Sequence, residues 1–187
     1  MIKFYYGVMG AGKTTELIKT YDIYRRKGLR PIVIKSPIDT REGAFEGWGE
    51  TQSRITEEKI PCYFYKDISE VSKIYCKSLL VDEAQFMSKE DVKYLINYAD
   101  SKGLPLLAYG LKTDINGDLF EGASAWLALA DHSQELECLC QYPGCMEKAV
   151  AHSRYINGVK DTSGEPIGIE IDNVVYKSLC RKHWREM

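Results

Sequence analysis

No apolar run in this sequence is long enough to suggest a membrane-spanning helix. The N-terminus also lacks the charged-then-apolar pattern of a secretion signal, so a cytoplasmic protein with no membrane partner is expected. Surplus charge is missing too: 25 Lys and Arg stand against 27 Asp and Glu, a net charge of −2. A dedicated nucleic-acid binder usually carries a basic footprint, so that class is disfavoured. There is no internal repeat and no low-complexity tract. What remains is a chain of 187 residues, 44% hydrophobic, which suits one ordinary domain or one domain with a small appendage. Its six cysteines, in a cytoplasmic setting, read as thiols or metal ligands rather than disulfides. Four of them fall between Cys138 and Cys180.

The stretch that organises the chain is Gly7-Val8-Met9-Gly10-Ala11-Gly12-Lys13-Thr14, which matches the phosphate-loop pattern G-x-x-x-x-G-K-[ST]. It follows the extended apolar run Ile2-Lys3-Phe4-Tyr5-Tyr6 and opens a segment with helical spacing at Leu17, Ile18, Tyr21 and Tyr24. Glycines let successive amides converge on one anion, and the start of a helix adds its partly positive end. Lys13 can then reach outer phosphates, and the Thr14 hydroxyl can hold a magnesium ion.

The first helix is expected over about residues 13–27, stopped by Gly28, and Arg30 to Lys35 reads as a buried strand. From Ser36-Pro37 to about Pro61 the sequence is polar and without clear period, a long stretch that reads as a functional or mobile loop. Within it, Asp39-Thr40-Arg41 leaves the strand's C-terminal end, where open α/β sheets bind ligands. Arg41 could pair with phosphate and Asp39 with a metal-bound water, or the two could be a solvated surface pair. A short strand over residues 62–65 and a helix from Asp67 to about Tyr75 follow. Cys62 and Cys76 show no ligand spacing and read as buried thiols.

The segment Ser78-Leu79-Leu80-Val81-Asp82-Glu83-Ala84-Gln85-Phe86 is an apolar strand ending in an acidic pair. Beside a phosphate loop, the first acid sits near magnesium and the second faces the nucleophile, so Glu83 is the candidate general base. Alone, such a pair could equally be a helix cap. Ser88 and Asp91 cap a helix that ends at Gly103, and a further strand and helix carry the alternation through about residue 130. Alternating strands and helices specify a mostly parallel sheet flanked by helices, a phosphate-loop-type α/β fold over residues 1–133.

The character changes after about Ser133. Cys138-Leu139-Cys140-Gln141-Tyr142-Pro143-Gly144-Cys145 puts three thiols around a Pro-Gly turn, and Cys180-Arg181-Lys182-His183 stands downstream. Two thiols plus a distant C-x-x-H supply four ligands for tetrahedral zinc, a closed and therefore structural site. Cys140, Cys145, Cys180 and His183 form the expected set, with Cys138 competing with Cys140. His132 and His152 read as ordinary polar residues. The module, residues 134–187, would hang a hairpin or flap from the metal.

Taken in order, the glycine loop, Asp39-Thr40-Arg41, Asp82-Glu83-Ala84-Gln85-Phe86, Gly110-Leu111-Lys112-Thr113-Asp114 with Phe120, and Tyr176-x-x-x-Cys180-x-x-His183 resemble the thymidine kinases of the human cytosolic type. The resemblance covers nearly the whole chain. It implies transfer of the γ-phosphate of ATP to the 5′-hydroxyl of thymidine or deoxyuridine, with magnesium, a structural zinc, a tetrameric assembly and inhibition by thymidine triphosphate. By position, it implies Glu83 as catalytic base. Gly7, Met9, Gly10, Ala11, Gly12, Lys13, Thr14, Asp39, Arg41, Asp82 and Gln85 fall in its nucleotide- and magnesium-binding segments. Met9, Phe86, Leu111 and Phe120 would sandwich the base, and Tyr176 would contact the deoxyribose beneath a lasso-like loop.

Three departures fall in the nucleoside-binding module. Glu170-Ile171-Asp172-Asn173 stands where a Gly-Gly pair is common, His152 where a threonine often follows the second cysteine by seven, and the first cysteine pair is spaced C-x4-C. The other readings are a phosphate-loop ATPase or GTPase with water as acceptor, a kinase of another acceptor, and a zinc module with a relic loop. No guanine-reading N-K-x-D motif is present, and intact Lys13, Thr14, Asp82 and Glu83 speak against a relic.

Overall fold

The computed structural model describes residues 1–36, 46–161 and 173–186. Asp39 and Arg41 lie outside the described residues. Among those described, seven strands form one sheet in the order β3-β4-β2-β5-β6-β1-β7. These are β1 (Ile2–Tyr6), β2 (Pro31–Lys35), β3 (Gly47–Gln52), β4 (Lys59–Phe64), β5 (Ser78–Asp82), β6 (Leu106–Gly110) and β7 (His132–Glu135). All neighbours pair in parallel except β3 with β4. Parallel strands need crossovers, and helices α1 (Lys13–Arg26), α2 (Lys89–Lys102) and α3 (Glu121–Leu129) supply them.

Every residue of β5 and β6 is buried, so these strands must be covered on both faces. Side-chain alternation divides them accordingly. Leu79, Val81, Leu106 and Ala108 pack with Phe4, Leu95 and Trp126 under α2 and α3. Leu80, Leu107 and Tyr109 pack with Val33 and with Leu17 and Ile18 of α1. Gly28 and Gly103, at φ +72 and +63, take the left-handed conformation that stops α1 and α2.

The region expected to be a long loop is instead partly a hairpin. Residues 47–64 fold as β3 and β4, whose only buried residue on β3 is Thr51. With a polar residue as the inward anchor, the alternation that marks a half-buried strand is invisible. The helix expected over residues 67–75 is a short 3-10 helix, Ile68–Lys73. Asp67 caps it by accepting from the Ser69 amide (2.8 Å), but Glu70 turns back to Tyr63 Oη (3.1 Å) and the Lys66 amide (3.3 Å). Strand β7 has no counterpart in the sequence reading: it is an edge strand with His132, Ser133 and Gln134 exposed.

Beyond β7 the chain forms a second, antiparallel sheet of β8 (Ala151–Ile156), β9 (Val159–Lys160) and β10 (Val174–Leu179), in the order β10-β8-β9, followed by α4 (Arg181–Glu186). The two parts touch closely. Leu136 N donates to Tyr6 O (2.7 Å), and a Cβ on Gly7 would lie 2.5 Å from Leu136 O. Among the described residues, no helix is long and apolar enough to cross a membrane.

Candidate active site

Residues 7–14 leave the C-terminal end of β1 and run straight into α1. Gly10 and Gly12 hold φ of +75 and +76, and Gly12 is the N-cap of α1 with no side-chain cap hydrogen bond. First-turn amides thus face outward without a capping side chain, the arrangement that receives an anion. Gly7 is obligatory by space as well: an added Cβ would also meet Ala11 Cβ at 2.9 Å. Lys13 Nζ lies over the loop and donates to the carbonyls of Val8 (2.9 Å) and Gly7 (3.2 Å).

The acidic pair arrives at the same place from β5. Thr14 Oγ1 is 3.4 Å from Asp82 Oδ1, which also accepts the Glu83 amide at 3.1 Å. A hydroxyl and a carboxylate at a strand–loop–helix junction are the oxygen donors a magnesium ion takes, so the donor set fits that ion. Asp82 is only 3% exposed. Burial pushes its carboxyl up and Glu83 adds to this, while Lys35, the Thr51 hydroxyl and the Glu83 amide pull it back.

Glu83 sits at φ +49 and ψ +43, a left-handed conformation uncommon for a side-chain-bearing residue. Such strain persists only where the surroundings impose it. Gln85 does so: its Nε2 donates to Glu83 Oε2 (2.7 Å), while its Oε1 accepts the Leu111 amide (2.9 Å). One amide therefore ties the carboxylate to the loop after β6. Gly110 leaves it room, since a Cβ there would come within 2.8 Å of Gln85 Oε1. Gly122 does the same from below, where a Cβ would meet the carbonyls of Met87, Ala84 and Gln85 at 2.6 to 2.8 Å.

Of the residues expected to hold a base, Phe86 and Phe120 meet edge to face, with centroids 5.8 Å apart. Leu111 is buried beside Gln85. Met9 and Tyr176 are linked through β10: Ser178 Oγ donates to Met9 O (2.5 Å), and Tyr176 lies two residues earlier on the same face of that strand. Tyr176 pairs in register with Arg154 and hydrogen-bonds it, while Asp161 takes Arg154 Nε at 2.6 Å.

His152, opposite Ser178 in register, is no ordinary surface side chain. It is 2% exposed, and its Nδ1 meets no partner among the described residues. Burial lowers its pKa to about 4, with Lys13 adding to the shift and Asp114 opposing it. A depressed histidine pKa means that the unfolded chain binds the extra proton first. Stability from this residue is therefore intact above pH 6.5 and is lost as pH falls from 6.5 to about 4, by roughly 3 kcal/mol in all. Thermal melts across that window should show the loss, and His152→Gln should flatten it.

Below β10, the ligand atoms of Cys140, Cys145, Cys180 and His183 all lie within 4.8 Å of one another. His183 Nδ1 is 3.5 Å from Cys140 Sγ and 3.3 Å from Cys180 Sγ. Tetrahedral zinc with ordinary bond lengths needs an S···N edge of about 3.6 Å, so the set fits zinc. Tyr142 stacks on the His183 ring at 3.9 Å and fixes its plane. Burial would raise the Cys140 thiol, but the Cys180 and Tyr142 amides, His183 and Cys145 outweigh it and bring it to about 6. A thiol ready to ionise suits a metal ligand. Cys138 is not in this cluster.

Sequence reasoning missed Thr51, Lys35 and Ser178. Lys35 is 4% exposed and pairs in register with Asp82. Its signal was available: a lysine closing an apolar strand at its C-terminal end. Thr51 and Ser178 carried none, since their importance comes from partners 31 and 169 positions away.

The fold and site together define an α/β protein with a glycine loop and an acidic pair at the ends of parallel strands, and a Cys/His cluster that could hold a metal ion. Residues 1–184 match the family model described as "Thymidine kinase". The thymidine kinase of Enterobacteria phage T4 is 38% identical over 192 residues, covering 98% of this chain and 95% of the relative. That of Streptococcus pyogenes is 38% identical over 186 residues (96% and 94%), and that of Vibrio vulnificus 35% over 192 residues (98% and 95%). The chain belongs to the thymidine kinase family.

Proposed function

We propose that this chain is an ATP-dependent kinase of the human cytosolic type, transferring the γ-phosphate of ATP to the 5′-hydroxyl of thymidine or deoxyuridine. The observation that carries the reading is the meeting of Thr14 with Asp82 at 3.4 Å, with Glu83 braced beside them. Residues 7–14 form the phosphate loop of a phosphate-loop-type domain spanning residues 1–133, and residues 134–187 form a zinc-bearing domain. Gly7, Met9, Gly10, Ala11, Gly12, Lys13 and Thr14 receive the triphosphate through amides and the lysine charge. Thr14 and Asp82 would hold magnesium, which would offset charge on the phosphate oxygens. Asp39 and Arg41, outside the described residues, flank the phosphates in this reading.

Gln85 holds Glu83 at Oε2, and the Glu83 carboxylate accepts the proton of the sugar hydroxyl as it attacks in line. Met9, Phe86, Leu111 and Phe120 enclose the base, and Tyr176 contacts the deoxyribose. Cys140, Cys145, Cys180 and His183 would hold a structural zinc, which would pin the sheet that carries Tyr176. Family resemblance further supports a homotetramer in the cytoplasm, subject to feedback by thymidine triphosphate.

The test is phosphate transfer from ATP across a panel of nucleosides. Thymidine and deoxyuridine should be phosphorylated, and ADP release should depend on them. ADP release at full rate without any nucleoside would point to a hydrolase and end the reading.

A further inference from the structure

The hairpin of β3 and β4 reaches the end of β5 and the first turn of α1. Strand β4 pairs with β2 only at Ile34↔Tyr63 and Lys35↔Phe64, the last two residues of each strand. Three side chains then reach onto the glycine loop and acidic pair. Thr51 Oγ1 donates to Asp82 Oδ2 at 2.6 Å. Ser53 Oγ lies 2.8 Å from Thr15 Oγ1 in the first turn of α1, and it also accepts the Ile55 and Thr56 amides at 3.2 Å. Ile55 Cδ1 would stand 3.6 Å from a Cβ on Gly12.

Thr51 and Ser53 are 1% and 0% exposed, between the exposed residues Glu50, Gln52 and Arg54 of an edge hairpin. Burying hydroxyls at an edge is unfavourable unless they find partners, and both find them in the candidate active site. The two oxygens of Asp82 are thereby given different neighbours. Oδ2 is taken by Thr51, while Oδ1 faces Thr14 and the Glu83 amide. A carboxylate held at one oxygen cannot rotate freely, so the other keeps its aim at the place where Thr14 points.

We propose that the β3–β4 hairpin is part of the nucleotide site and that Thr51 is a positioning residue, its hydroxyl orienting Asp82 toward the magnesium that accompanies ATP. The proposal rests on the kinase reading for the identity of the nucleotide, but not on the nucleoside acceptor. Thr51 touches neither phosphate nor base in this account; it acts through Asp82. Outer partners of metal-binding carboxylates matter by about 10- to 100-fold in metal affinity.

The experiment uses the full zinc-loaded chain without nucleoside and measures ATP binding calorimetrically, with magnesium and with chelator. Thr51→Val keeps the side-chain volume and removes the hydroxyl; Thr51→Ser keeps the hydroxyl and removes the methyl. Thr51→Val should lose about tenfold or more of the affinity gained from magnesium, with metal-free ATP binding unchanged. Thr51→Ser should retain the gain. In turnover assays the valine variant should need more magnesium, with the thymidine KM unmoved. Thr51→Ala gives the same reading should valine not be accommodated. A valine variant with the full magnesium gain, or a serine variant as impaired as valine, overturns the proposal, the latter because packing rather than the hydroxyl would then be responsible. If the parent binds magnesium and ATP but phosphorylates no nucleoside, the kinase reading fails while the Thr51 comparison still decides its own question.

Discussion

Glu83→Gln should bind ATP about as well as the parent and turn over thymidine roughly a hundredfold more slowly or worse, about 2.7 kcal/mol on the barrier. The substitution is nearly isosteric, so the left-handed backbone and the Gln85 contact need not move. What disappears is the basicity proposed to accept the sugar's proton. A transition-state effect of this kind lowers kcat and kcat/KM together and leaves substrate binding nearly untouched. Single-turnover rates with saturating ATP and thymidine measure it directly. Parental turnover in the variant would remove Glu83 from the chemistry. A loss confined to KM would instead assign it to binding.

The second large effect is expected from stripping the metal. The small apolar cluster under β10 consists of Cys140, Leu179 and Cys180, with Cys145 and Trp184 against it. Three of those five are proposed ligands, so without zinc this part of the chain has almost no core of its own. Structural zinc contributes on the order of 10 kcal/mol in small folded units. Even about 4 kcal/mol would lower the melting temperature of a chain this size by roughly 8–16 °C. Chelation, or Cys180→Ser, should therefore open residues 138–184 to proteolysis first and sharply weaken thymidine binding. Hydrogen exchange would resolve the order of opening. An unchanged melt and unchanged thymidine affinity after verified zinc removal would reduce the cluster to a group of reduced thiols.

Much of this arrangement was legible in the sequence, for physical reasons that can be named. The all-apolar runs that became β5 and β6, and the glycines that stop α1 and α2, leave patterns that local chemistry alone produces. The four metal-cluster side chains were grouped by spacing, although spacing left Cys138 and Cys140 in competition; the fold brings Cys140, not Cys138, to 3.5 Å from His183. The short strand expected over residues 62–65 is the end of β4, but β3 was not legible, because its inward anchor is the hydroxyl of Thr51, whose partner is a carboxylate three strands away in sheet order. His152 is outside the Cys/His cluster, as expected, but its burial was not legible for a related reason. Ala151 to Tyr155 are all buried, a condition created by the packing of β8 rather than by anything in those five residues. Strand β7 escaped because an exposed edge strand has no hydrophobic alternation to display.

The hydroxyl that grips Met9 belongs to a residue 169 positions later. During translation the first strand, the glycine turn and their helix emerge early and can assemble with β5 and β6, yet the Met9 carbonyl lacks its Ser178 donor until β10 leaves the ribosome. Shortened products that stop before Ser178 would carry every residue of the nucleotide motif with one of its carbonyls untethered. A nick late in the chain should likewise be felt at its beginning.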